Sequence, residues 1–473
     1  MKKKAKKILL GSVLSMSIIA IVLFLIWGRA FLNLNNLKKL AIEQGFIFTA
    51  KDAGKYKQSS YLDNKEEKAF SIIKSPSDGE DRWLPFSGRG PSVFLDAKVS
   101  MEQQTHILSY IKKNNQFFKI IESEDDSRPK QLSIYYLSPN YVKLFDEAML
   151  VKISTMLFSE KVETLLQENN ADGTVSALQY SLNLQNILLN KASFIYNYAY
   201  QASTNIWLHS FNRAINNLPL PDKSLRQLIT AMQQRENDLA KSFSTMLYEE
   251  TFNFFQLVNH HDPLEAGTIQ FWNEIAEKKQ LPNVSGKLEL WLWFGGVFEK
   301  KAMLTNALAF QQLINYNNYP IIKADLEKLQ KYQQMRWSAP FCSRYTDFNK
   351  NYLEYLNTVA YLRCAIVTTA TILYYRENGK VPKEITELTP KYIDSKMLCD
   401  PYGKLLQMKY GSFNALLRIN STIDREFAER VGLRIFSVGY NGIDDGGNGI
   451  SGSVRGGDYS DDITFIWVSQ YKK

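Results

Sequence analysis

Histidine and cysteine are scarce here, with four histidines and three cysteines in 473 residues. Cys342, Cys364 and Cys399 follow no zinc-ligand spacing. In an oxidising compartment one pair could bridge, but no pairing is favoured; Cys364 falls on the apolar face of a helix and reads as a buried thiol. His260 and His261 adjoin in "NHHDPLE", beside Asp262 and Glu265. Consecutive helical side chains diverge, so the stretch reads as a helix-ending loop rather than a metal cage. His106 and His209 stand alone. No zinc-protease HExxH, nucleophile elbow or dinucleotide fingerprint occurs, and Gly88 and Gly90 lack the Lys and Ser/Thr that complete a phosphate loop. Glu249 and Glu250 are adjacent, hence about 100° apart on a helix, a poor acid–base dyad. The sequence therefore names no catalytic residue and no small-molecule substrate.

Strong charge of one sign is also missing from the body of the chain. The formal charge of +9 includes Lys2, Lys3, Lys4, Lys6 and Lys7, and without those five it falls to +4. That excess is too small for a nucleic-acid footprint. The lysines precede "ILLGSVLSMSIIAIVLFLIW", Ile8–Trp27, which carries no charge and is long enough as a helix to cross about 30 Å of hydrocarbon. By the positive-inside rule the lysines stay cytoplasmic and Trp27 marks the far interface. The lipid bilayer is thus the expected partner of residues 8–27, with the bulk of the chain beyond Arg29 extracytoplasmic, a single-pass protein of the inner (cytoplasmic) membrane. Cleavage near "GRA", Gly28–Ala30, is the competing reading of the same segment.

With 45% hydrophobic and 22% charged residues the remainder reads as globular. The periodicity predicts a mainly α chain with a C-terminal α+β domain. Residues 1–30 form the stub and anchor, and 31–99 a juxtamembrane helix followed by a polar connection with the loop signals "SPSDGEDR" and "PFSGRGPS". Residues 100–350 form a helical bundle or irregular helical array. Leu178, Leu182, Leu188 and Leu189 recur at turn-like spacing, and "LPLPDKS" breaks the pattern, with Asp222 or Ser224 able to cap the next helix. Trp291, Trp293 and Phe294 in "LELWLWFGG" read as core.

Residues 351–473 change character. A long helix from Asn351 carries Leu353, Leu356, Ala360, Cys364, Val367, Thr371 and Tyr374 on one stripe, and Gly379 terminates it. Its charges, Glu354, Arg363 and Arg376, argue against a second span. "VPKEITELTPKYI" predicts a second, short helix, "CDPYGKLLQMKY" a turn leading into a strand, and "LRIFSV" and "DITFIWV" further strands. Ile463, Phe465 and Trp467 alternate with Thr464, Ile466 and Val468.

Between the last two strands lie "GYNGIDDGGNG" and "GGDYSDD". Crowded carboxylates repel unless a cation or solvent intervenes, and glycines let backbone carbonyls turn inward, as calcium's six to eight oxygen ligands require. An acidic surface loop that binds nothing fits the same residues, and zinc does not, for want of His or Cys.

Taken in order, "YYRENGKVP", "ITELTPKYI", "DPYGK", "FSVGYNGIDDGG" and "DDITF" resemble the C-terminal head of the major pseudopilin of type II secretion systems. The resemblance implies a long helix packed on a small antiparallel sheet, and a calcium ion whose ligands are drawn from Asp444, Asp445, Asp458, Asp461 and Asp462. The helical middle is similar to large envelope proteins of planctomycete-type bacteria that share this head. The membrane segment lacks the phenylalanine start and fifth-position glutamate of pseudopilins, and the helical region separates it from the head, so the head is expected to be borrowed rather than built into a filament. The function expected is an envelope-anchored scaffold or interaction protein with a protein partner, possible links being type II secretion or envelope assembly. The rival from another class is an extracytoplasmic metal-dependent hydrolase.

Overall fold

A computed structural model describes residues 21–22, 25–26, 28–46, 48, 64–77, 81–87, 99–123, 141–189, 194–259, 285–315, 348–419, 425–439, 442–444, 446–447 and 462–468. The chain is mostly helical, with one small three-stranded antiparallel sheet near the C-terminus. Most of Ile8–Trp27 lies outside the described residues; within it Ile21, Val22, Leu25 and Ile26 are helical and exposed. Two compact units are formed. The first takes the described parts of Met1–Lys55, Leu247–Asn315 and Ala324–Asn349, and the second those of Tyr56–Met246, Tyr316–Lys323 and Lys350–Lys473.

In the first unit, helix α1 (28–43) buries Ala30, Leu34 and Ala41 and leaves Phe31, Leu32, Leu40 and Ile42 exposed. Its C-terminal turn is fixed by Tyr248, whose hydroxyl donates to Gln44 O at 2.9 Å and whose ring meets Phe46 edge-on at 4.5 Å. Lys38 and Lys300 both lie over the Phe255 ring. Burial, with the Lys38 charge added, lowers the Lys300 amine to about 8.

The second unit begins with α2 (Asn64–Ser71), α3 (Met101–Lys113) and α4 (Asn115–Glu122). Helix α3 starts where Ser100 accepts the Gln103 N–H and ends on Lys112 and Lys113, the charges its C-terminal dipole favours. Asn114, buried between α3 and α4, bonds both backbone groups of Lys74 and so ties the connecting segment to the helices. Helices α5 (Tyr141–Gln167), α6 (Ala171–Leu189) and α7 (Phe194–Asn217) all pack on one another. Leu178, Leu182, Leu188 and Leu189, the leucines at turn-like spacing, all lie on α6. Two buried polar contacts cross the layer: Trp207 Nε1 donates to Leu178 O at 2.9 Å, and Arg213 makes a two-pronged ion pair with Glu163 at 2.7 and 2.5 Å. Helix α8 (Asp222–Asn259) follows the Leu-Pro break, with Asp222 in its first turn, and α9 (Ser285–Asn315) belongs to the first unit.

Helix α10 (Phe348–Asn378) is apolar enough to cross a membrane by composition, yet its apolar window is wholly buried. Thr369 and Thr371 donate their hydroxyls to carbonyls one turn back, which lets them sit in this core. Gly379 ends the helix at φ +69°, a conformation glycine adopts without strain. The short second helix read in "VPKEITELTPKYI" is instead a single 3₁₀ turn, Ile385–Leu388, closed by a reciprocal Glu384/Glu387 capping box.

Strands β1 (Gln407–Ile419), β2 (Arg425–Ser437) and β3 (Ile463–Val468) lie in that order. The β1–β2 hairpin is longer than "LRIFSV" suggests, because the polar half of β2 carries no apolar run. Helices α10 and α7 both touch β3: Tyr361 and Phe211 approach Phe465 at 5.4 and 6.0 Å, and Tyr375 meets Trp467 at 5.6 Å. Phe413, Ile466 and Val468 form a cluster of their own. All six residues of β3 are buried, so its alternation does not separate a wet face from a dry one. The described residues from 64 to 246 share this unit with those from 350 onward, whereas 247–259, 285–315 and 348–349 belong to the first.

Candidate site at the β2–β3 connection

The connection between β2 and β3 begins from a buried polar knot. Asp400, 1% exposed, accepts the Tyr402 and Lys404 N–H groups on Oδ1 and the Ser437 hydroxyl on Oδ2 at 2.7 Å. Ser437 Oγ in turn accepts the Gly439 N–H at 3.1 Å. The Asp-Pro-Tyr-Gly turn is thereby bolted to the last residue of β2, and burial raises the Asp400 carboxyl despite these donors.

Past Gly439 the chain folds back over the sheet. Lys404 Nζ donates to Gly442 O at 3.0 Å, and Arg434 donates to Gly446 O at 2.7 Å. A Cβ on Gly447, which has φ +68°, would lie 2.8 Å from the Phe436 ring, so only glycine permits this approach.

Two of the five carboxylates expected as ligands are described, and they take different roles. Asp444 is exposed; its carboxylate meets Lys409 Nζ at 3.0 Å and accepts the Gly446 N–H at 2.7 Å. These contacts, the lysine first, hold its pKa below the usual carboxylate value. Asp462 is 1% exposed and accepts the Gly447 N–H at 2.7 Å, while Gly447 O accepts the Thr464 hydroxyl. Consecutive glycine amides thus go to two different carboxylates, one at the surface and one beneath it. Asp445, Asp458 and Asp461 lie outside the described residues.

The oxygen donors of this loop are of the class calcium takes, and Asp444 and Asp462 are the described carboxylates that would contribute. Among the described residues no three His, Cys, Asp or Glu side chains gather as a metal site, and the Asp444 charge is met by Lys409. Asp400, Ser437, Lys409 and Arg434 were not singled out from the sequence. The Asp-Pro-x-Gly signature locates Asp400, but nothing local shows that its carboxylate reaches Ser437.

Cys364 is buried on α10, with its thiol against Ile463 O at 3.5 Å; burial pushes its pKa up, and the Asp400 and Asp462 charges add to this. Cys364 and Cys399 are both free, and Cys342 lies outside the described residues. His260, His261, Asp262 and Glu265 lie outside them too, as do the side chains of Trp291, Trp293 and Phe294. Glu249 and Glu250 are both buried. No family model matches the chain, and no curated protein or solved structure matches it.

Proposed function

We propose that this chain is a membrane-anchored extracytoplasmic scaffold or interaction protein, with a pseudopilin-like head stabilised by calcium, acting near a secretion or envelope-assembly machine. The observation that carries the reading is the use made of the acidic loop. Asp444 Oδ1 accepts the Gly446 amide within the loop, and Asp462 Oδ2 accepts the Gly447 amide, which ties the loop to the start of β3. Carboxylates used in this way serve architecture, and a divalent ion held by Asp444, Asp445, Asp458, Asp461 and Asp462 would reinforce it. The charge-free run behind five lysines supports the anchor, and the order of the head's motifs supports the link to secretion.

Thermal melting of the full chain in lipid nanodiscs tests the calcium part. Millimolar calcium raises Tm, a chelator reverses the gain, and Asp462→Ala combined with Asp444→Ala removes it. Identical melting curves with calcium and chelator would overturn the calcium site. Protease added to spheroplasts tests the anchor: the chain beyond Arg29 is digested, and full protection would place it on the wrong side.

A further inference from the structure

Where α7 ends, α8 begins and α10 passes β3, the second unit opens a pocket of about 230 Å³. Its floor is apolar and buried, including Ile215, Leu220, Leu225 and Ile372, and Trp467 forms one wall. An apolar cavity of about 150 Å³ already admits benzene, so this one has room for a large aliphatic or aromatic side chain. Arg376 lies at the mouth with its side chain 26% exposed. Its Nη1 donates to both Leu220 O and Asp222 Oδ1 at 2.6 Å, which fixes the guanidinium in place. Among the described residues Nε and Nη2 have no acceptor. A guanidinium edge held in this manner matches a carboxylate, which takes two parallel N–H bonds.

We propose that this pocket docks the C-terminal residue of a partner polypeptide, with its large apolar side chain in the cavity and its terminal carboxylate on the free edge of Arg376. A C-terminal Phe, Leu or Trp carries both groups on one residue, so a single anchor satisfies both the apolar floor and the cation. Asp222 pairs with Arg376 through Nη1 and is itself more than half exposed, so the Nε–Nη2 edge is the one left for an incoming carboxylate. The inference deepens the interaction-protein reading by naming what the partner presents. It does not depend on calcium or on the anchor, so its failure leaves those measurements standing, and theirs leaves this one.

Calorimetric titration of the full chain in lipid nanodiscs supplies the test, using the N-acetylated peptide Gly-Gly-Ala-Phe as the free acid and as the C-terminal amide, and Gly-Gly-Ala-Gly as the free acid. The Phe acid binds at least about tenfold more tightly than its amide, and the Gly acid binds more weakly than either. Arg376→Gln brings the acid down to the level of the amide while far-UV circular dichroism stays unchanged. Should that variant fail to fold, the acid-to-amide ratio on the unaltered protein still decides. Equal affinity for acid and amide, a preference that survives Arg376→Gln, or no heat from any peptide would each overturn the proposal.

Discussion

Asn216 closes the outer edge of the sheet by imitating a strand: its Oδ1 accepts the Val468 N–H at 2.6 Å and its Nδ2 donates to Ile466 O at 2.9 Å. One side-chain amide on α7 thereby pairs with β3 as a neighbouring residue in a ladder would. It leaves no open β3 edge at that point for a foreign strand. Asn216→Leu strands a buried donor and a buried acceptor together. The expected loss is about 2–4 kcal/mol, read from denaturant melts. A loss below about 0.5 kcal/mol would show that water replaces the amide at this edge.

The same contact bears on where the chain can be cut. Residues 352–473 expressed alone lose Asn216, the Phe211 ring against Phe465, and the Leu220 carbonyl that Arg376 binds. The fragment is expected to aggregate or melt without a cooperative transition, whereas a chain beginning before α2 melts cooperatively. Light scattering and calorimetry on both decide the matter.

Glu160 makes stability depend on pH. It is fully buried on α5, its Oε1 accepts the Phe86 and Ser87 N–H groups at 2.8 and 2.9 Å, and burial raises its pKa from 4.5 to about 8. Glu163 one turn on raises it further, although Arg213 of α7 takes the charge of that neighbour. The folded chain holds this proton more tightly than the unfolded one. The contribution is therefore complete below about pH 4.5, declines as pH rises, and is gone above about 8. Glu160→Gln keeps the acceptor and removes this slope; denaturant melts at intervals from pH 4.5 to 9 measure the difference.

The Arg213–Glu163 pair is almost fully buried on both sides. Arg213→Met leaves an unpaired carboxylate in the core and should cost about 3–5 kcal/mol, and Glu163→Gln a comparable amount. Replacing both by apolar residues of similar volume should recover most of that loss. Additivity of the two single losses in a double-mutant cycle would show that the partners do not interact.

At the surface the expectation reverses. Lys409→Ala removes the exposed partner of Asp444 and should change stability by at most about 1 kcal/mol, less at high salt. Asp462→Ala, made beneath the same loop, costs more, because the Gly447 N–H is then buried without its acceptor. Melts at two salt concentrations separate these effects.

Much of this was visible in the sequence wherever the signal is local. Few glycines and apolar spacings of three and four determined the helical body, Gly379 determined where α10 stops, and the Asp-Pro-Tyr-Gly turn determined the entry to β1. The 3₁₀ turn at Ile385–Leu388 escaped because four residues carry too short a period to separate it from a helix. The polar half of β2 escaped because its register comes from pairing with β1.

The acidic loop shows the limit most clearly. Its composition announced crowded carboxylates, but only the fold assigns Asp444 to Lys409 at the surface and Asp462 to Gly447 in the interior. The roles of Asn216, Asp400 and Glu160 were likewise decided by tertiary structure. A side chain's local propensity is encoded in its neighbours along the chain. The partner that satisfies a buried polar group comes from a distant segment, and only packing brings the two together.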